Sequence, residues 1–181
     1  MLSTQGCGCD PDADPECGEG LACNADNLCE ADVCGKKKDE PNDDPFEPFA
    51  LMDLEDDDDP VLYESQLSGK GDVDWYGYGC DDPLFGLSEP NVDFTVPEGA
   101  RACLFLGCAA GVNPIFDCPA GTDAEMAPIG FLPGCCVTGS AAFEIASFMC
   151  PGTSNDALDV YLRIEDGAAD TCEDYSFEYG C

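Results

Sequence analysis

The pattern of apolar and polar positions changes character along the chain, and from residue 61 onward it alternates. Val61–Leu67 reads VLYESQL, residues 74–80 read DWYGYGC and Arg101–Cys108 reads RACLFLGC. Residues 143–150 read FEIASFMC, Leu158–Glu165 reads LDVYLRIE and residues 175–179 read YSFEY. In LDVYLRIE, Val160, Leu162 and Ile164 fall on one face, and Asp159, Tyr161, Arg163 and Glu165 on the other. In YSFEY, Tyr175, Phe177 and Tyr179 oppose Ser176 and Glu178. A period of two, rich in aromatic and β-branched residues and punctuated by Gly, Pro and Asp, predicts strands. Long helical periodicity is missing. Several short strands at this spacing predict an all-β fold, an antiparallel β-sandwich or jelly roll, over residues 61–181.

Residues 1–34 read differently. They hold six cysteines separated by Gly, Asp, Ala, Asn and Pro, with few large apolar residues. Such a segment cannot build a core and must be held by its bridges, which predicts a small N-terminal disulfide-rich module. The pairing among the six stays open. The stretch CGEGLACNADNLC resembles the small cysteine-rich knots of EGF-like or related type. Asp10, Asp12 and Asp14 alternate as in a calcium loop, but Pro15 stands where an EF-hand needs Gly and Leu21 where it needs Glu. Residues 35–60, GKKKDEPNDDPFEPFALMDLEDDDDP, predict an acidic Pro/Asp linker. Phe46, Phe49, Leu51, Met52 and Leu54 offer it a way to dock onto the following domain, and the Asp run at 56–59 reads as a solvated tether.

Cysteine content then sets the compartment. Fifteen cysteines in 181 residues make a disulfide scaffold. The cytosol would keep such thiols reduced, so the chain is expected to be secreted or at the cell surface. The spacings do not repeat as paired CxxC knuckles, which disfavours a cytosolic thiolate metal protein. The candidate disulfide cysteines are Cys7, Cys9, Cys17, Cys23, Cys29, Cys34, Cys80, Cys103, Cys108, Cys118, Cys135, Cys136, Cys150, Cys172 and Cys181. Their number is odd, so one is expected to be unpaired or bonded outside this sequence. Cys135 and Cys136 are adjacent, face opposite sides of a strand and are expected to take two different partners. Cys172 and Cys181 bracket the last strand and would tie down the C-terminus. Residues 1–6 hold neither a basic region nor an apolar run, so the export leader is expected to have been trimmed or to lie upstream. No stretch approaches the ~20 apolar residues of a membrane span.

Charge and histidine narrow the function. The net charge is −33, from 39 acids and 6 bases. That field repels nucleic acid and anionic lipid, favours cations and basic partners, and keeps a secreted protein soluble. Histidine is absent, which removes the usual general base, the Ser-His and Cys-His pairs and most zinc ligation. The chain is therefore not expected to be an enzyme. Trp75 and Tyr76 point to opposite faces of one strand, so at least one belongs in the core. Tyr76 and Tyr78 are the candidate exposed aromatics for a sugar or peptide ligand.

Two landmarks stand a fixed way apart: Glu40-Pro41-Asn42-Asp43, then Ser68-Gly69-Lys70-Gly71-Asp72-Val73-Asp74-Trp75-Tyr76. With the closing VYLRIEDGAADTCEDYSFEYGC they resemble the bacterial pre-peptidase C-terminal domain, over roughly residues 39–181. The chain departs from that pattern in its cysteines and in the insertion CPAGTDAEMAPIGFLPGCC. The resemblance implies a β-sandwich accessory module without catalysis, found on secreted proteins. It also implies calcium held between the segment entering the domain and the Asp-rich turn, by Glu40, Asn42, Asp43, Asp72 and Asp74. Calcium takes six to eight oxygens, and carboxylates with an Asn amide from two segments supply most of them. The plain alternative is that Asn42 and Asp43 make a turn while Asp72 and Asp74 cap a hairpin.

The expected function is a non-catalytic binding or accessory module mediating extracellular attachment to a protein or polysaccharide. Two alternatives stay open. One is a structural subunit of an extracellular fibre or surface layer, self-associating through its odd cysteine. The other is a protease-inhibitor-like cysteine-rich protein.

Overall fold

Alternation along the second part of the chain builds two sheets that share one core. The computed structural model describes residues 21–23 and 29–31 (backbone only), 39, 41–55, 58–68, 71–81, 89–108, 111–151, 157–165 and 172–181. The chain divides into two compact units, Met1–Lys36 and Lys37–Cys181. In the first unit, β1 (Leu21–Cys23) and β2 (Cys29–Ala31) form an antiparallel hairpin. Cys7, Cys9, Cys17 and Cys34, and the side chains of Cys23 and Cys29, lie outside the described residues.

The second unit holds every other strand among the described residues: β3 (Phe49–Ala50), β4 (Leu54–Glu55), β5 (Val61–Leu67), β6 (Val73–Asp81), β7 (Asn91–Thr95), β8 (Arg101–Cys108), β9 (Ile115–Phe116), β10 (Asp123–Met126), β11 (Pro133–Thr138), β12 (Ala141–Glu144), β13 (Phe148–Met149), β14 (Leu158–Glu165) and β15 (Glu173–Gly180). The larger sheet runs β10-β11-β8-β14-β6-β3, with β4 also laid along β6. The smaller sheet runs β12-β7-β15-β5. Pairings within both are antiparallel except those of β3 and β4, which run parallel to β6. A short ribbon, β9 with β13, stands apart from both sheets. Among the described residues there is no helix. The all-β sandwich expected from the alternation is thus the observed fold.

The core lies between the sheets, where the predicted faces meet. Val160, Leu162 and Ile164 of β14 and Tyr175, Phe177 and Tyr179 of β15 are buried, while their odd-face neighbours Asp159, Ser176 and Glu178 are not. Rings cross the interface: Tyr76 meets Phe177 at 5.0 Å between centroids, and Tyr78 meets Tyr179 at 4.7 Å. The far face of the larger sheet is covered too. Trp75, Phe105, Cys103 and Cys136 pack there under Ala127, with Ile129 and Leu132 against them. Arg163 lies over both rings, 5.5 Å from the Trp75 centroid and 5.4 Å from that of Phe105.

Two expectations are corrected. Residues 143–150 do not form one strand. β12 ends at Glu144 and the chain leaves the smaller sheet, so that Phe148 and Met149 join the ribbon instead. Residues 37–60 are not a free linker either, because the chain from Lys37 belongs to the sandwich unit. Leu54 is buried in its core, with Phe49 and Leu51 packed against it, whereas Phe46 and Met52 stay exposed. The apolar residues at 49, 51 and 54 are spaced to follow β6, which explains why the segment lies down along it.

Four disulfides join described residues of this unit: Cys80–Cys181, Cys103–Cys136, Cys108–Cys150 and Cys118–Cys135. Adjacent Cys135 and Cys136 take different partners, on the inner and outer faces of β11, as the alternation requires. Cys172 is also disulfide-bonded, so the odd thiol is none of these nine cysteines.

Candidate metal centre and the buried polar chain

The segment entering the sandwich passes beside the start of β6, where the Trp75 amide donates to the Asn42 carbonyl at 2.8 Å. That contact brings the two sequence landmarks together. One carboxylate oxygen each from Asp43, Asp72 and Asp74 lie within 4.8 Å of one another. Asp43 is exposed, Asp72 half-buried and Asp74 buried. Three of the five expected calcium ligands therefore converge. Asn42 is buried beside them, and Glu40 lies outside the described residues. The alternative also keeps support, since Asp72 Oδ2 accepts a hydrogen bond from the Ser68 amide.

The donor set fits a hard cation. Three carboxylates supply three to six oxygens, and calcium completes its shell with carbonyls or water. A second acid-and-thiol group, Cys103 with Glu125 and Cys136, fits no metal: its sulfurs are bonded to each other, and Arg163 and Arg101 both grip Glu125 at 2.8 Å. Burial alone would raise the Glu125 carboxyl, but hydrogen bonds from Arg163 and Arg101 outweigh it and hold the group below its ordinary value. Arg163 also meets Glu165 at 2.6 Å, so this cluster is a structural ion-pair network on the covered face of the larger sheet.

Asp74 belongs to a buried polar chain as well. The Tyr175 hydroxyl donates to Asp74 Oδ2 and lies against the Tyr76 hydroxyl, which donates to Asp39 Oδ2. Ser65 Oγ donates to the other Asp39 oxygen at 3.0 Å. Both carboxylates are nearly fully buried, and these bonds satisfy oxygens that would otherwise be costly to desolvate. Burial, then the charge of Asp74, holds the Tyr76 phenol far above its ordinary value. Burial, then Tyr76, does the same to Tyr175. The chain crosses from the entering segment through the larger sheet to the smaller one, and it ends on the candidate metal ligand.

The aromatic platform expected at Tyr76 and Tyr78 does not form. Tyr76 is 0% exposed and Tyr78 5%. Trp75, on the other face, is buried too. Both faces of β6 are covered, one by the smaller sheet and the other by the segment carrying Ala127, Ile129 and Leu132. Sequence reasoning also missed Asp39 and the pairing of Ser65 with it. A carboxylate between Lys38 and Glu40 gives no local sign of burial, and the polar Ser65 on the inward face of β5 was the only hint. No protein-family model matches the chain, and no curated protein matches it in sequence.

Proposed function

We propose that the chain is a secreted, non-catalytic binding module of pre-peptidase C-terminal type, whose sandwich is stabilised at its entrance by calcium. The observation that carries this reading is the convergence of Asp43, from the entering segment, with Asp72 and Asp74, from the turn before β6. A cation there would tie the segment to the strand it lies along, and through Tyr175 it would reach the smaller sheet. The disulfide staples support work outside the reducing cytosol. The absence of histidine and the structural engagement of both described arginines leave the module to bind rather than to catalyse.

Thermal unfolding of the oxidised protein in excess calcium and in chelator tests the reading. A ligand bound only by the native state at a hundred times its dissociation constant adds about 2.7 kcal/mol of apparent stability. The expected result is a clear rise in the unfolding midpoint with calcium, lost in the double variant Asp43→Asn with Asp72→Asn. An unchanged midpoint across millimolar calcium would sink the metal site.

A further inference from the structure

Eight large hydrophobic side chains are exposed among the described residues, among them Val112, Ile115, Met126, Phe131 and Met149. Ile115 and Met149 are cross-strand partners on the ribbon itself. Phe116, the next residue of β9, lines two grooves of about 640 and 480 Å3, one toward the segment after β12 and one under β10. Asn113 Nδ2 donates to the Phe131 carbonyl at 3.0 Å and fixes that turn beside the ribbon. Phe131 is 72% exposed and sits at φ 53°, a left-handed backbone that a bulky residue adopts at a cost. Its ring gains little burial in return.

The larger sheet ends at β10, whose outer edge pairs with no strand among the described residues. The Ala127 amide donates to the Leu132 carbonyl, which sets the phase of the β10/β11 ladder. In that phase Glu125 faces Gly134 in a hydrogen-bonded pair, and the N–H and C=O of Ala124 and Met126 point away from β11 to the open edge. Beneath the same two residues lies the groove floored by Phe116 and Pro133. An extended peptide recognises such an edge with its main chain and the groove with alternate side chains.

Charge selects the occupant. Asp117 and Glu144 line the grooves and Asp123 opens β10, while Arg101 and Arg163 are held by Glu125 and Glu165. The whole chain carries −33, so a second copy would bring like charge to this edge, and a Lys- or Arg-bearing segment would bring opposite charge. Resting on the reading of the chain as a binding module, we propose that the open edge of β10 and its groove bind an extended segment of a partner protein in which apolar residues alternate with Lys or Arg.

The test uses the full oxidised chain and a fluorescein-labelled nine-residue peptide of alternating Val and Lys, with a Val and Glu peptide as control. Anisotropy is read near physiological salt, in calcium and in chelator. Saturable binding of the Val/Lys peptide alone is expected. Ala124→Pro removes an outward amide from the edge, and Met126→Ser removes apolar groove wall; neither changes the charge. Each is expected to weaken binding about tenfold with the unfolding midpoint unchanged. Several results would overturn the proposal: no binding up to millimolar peptide, binding that both variants retain in full, or self-association of the chain that Ala124→Pro abolishes. Peptide binding without a calcium shift would remove only the metal reading, and a calcium shift without peptide binding would remove only this surface.

Discussion

Gly134 stands directly across the ladder from Phe105, and no other residue fits there. A Cβ on it would lie 2.2 Å from Phe105 Cδ1 and 2.6 Å from the Leu104 carbonyl oxygen. The ring cannot easily swing aside, because Trp75 stacks on it at 5.6 Å and Arg163 covers it. The carbonyl belongs to the ladder and cannot move alone. Gly134→Ala is therefore expected to destabilise the fold by about 1–3 kcal/mol, the ordinary range for overpacking a closed site. Urea unfolding measures it; an unchanged midpoint would mean that β8 and β11 separate more freely than this register allows.

At the level of elements, β6 and β15 face each other through tyrosines, and their phenols give the fold a pH limit. Burial is the first cause holding Tyr76, Tyr78 and Tyr175 up, so all three stay protonated in the folded chain where the unfolded chain would ionise. A folded value raised above the unfolded one contributes stability that is complete below the unfolded value and is lost as pH climbs past it. Loss should begin near pH 10, at about 1.4 kcal/mol per pH unit for each of these tyrosines. Denaturant unfolding from pH 8 to 11, with tyrosinate absorbance alongside, checks this. Folded protein whose tyrosines all titrate at the ordinary value would contradict it. These elements were also the most legible in the sequence. β14 and β15 announce both faces by strict alternation, because one side of each meets the core. β6 was read as a strand but its exposed aromatics were misjudged, since the layer over Trp75 comes from residues 127–132, far along the chain. β10 and the extent of β11 were missed because Asp123–Met126 is largely exposed and the buried positions of β11 are held by Gly134 and cysteines beside a single Val137, which gives little alternation to read. The acids of the candidate metal centre were legible as two landmarks, and only the fold could set Asp43 beside Asp72 and Asp74.

For the molecule as a whole, the seven strands of one sheet outnumber the four of the other, and the larger sheet ends on the edge at β10, beside the groove lined by Phe116 and Met126. The same unequal build leaves β6 bordered by the entering segment rather than by a full strand. That segment looks like a tether when read alone, and a preparation of the domain begun at Val61 would follow naturally from its Pro and Asp content. Such a truncated chain would lose Leu54 from the core and would leave Ser65 and the Tyr76 hydroxyl facing the place of a missing carboxylate. A buried donor stripped of its acceptor costs about 1–3 kcal/mol. The full oxidised chain is thus expected to give a sharp, cooperative melt, and a recombinant piece starting at Val61 a broad or aggregating one. In practical terms, the acidic stretch that invites a cut is part of the body of the sandwich, and cloning boundaries belong on its far side.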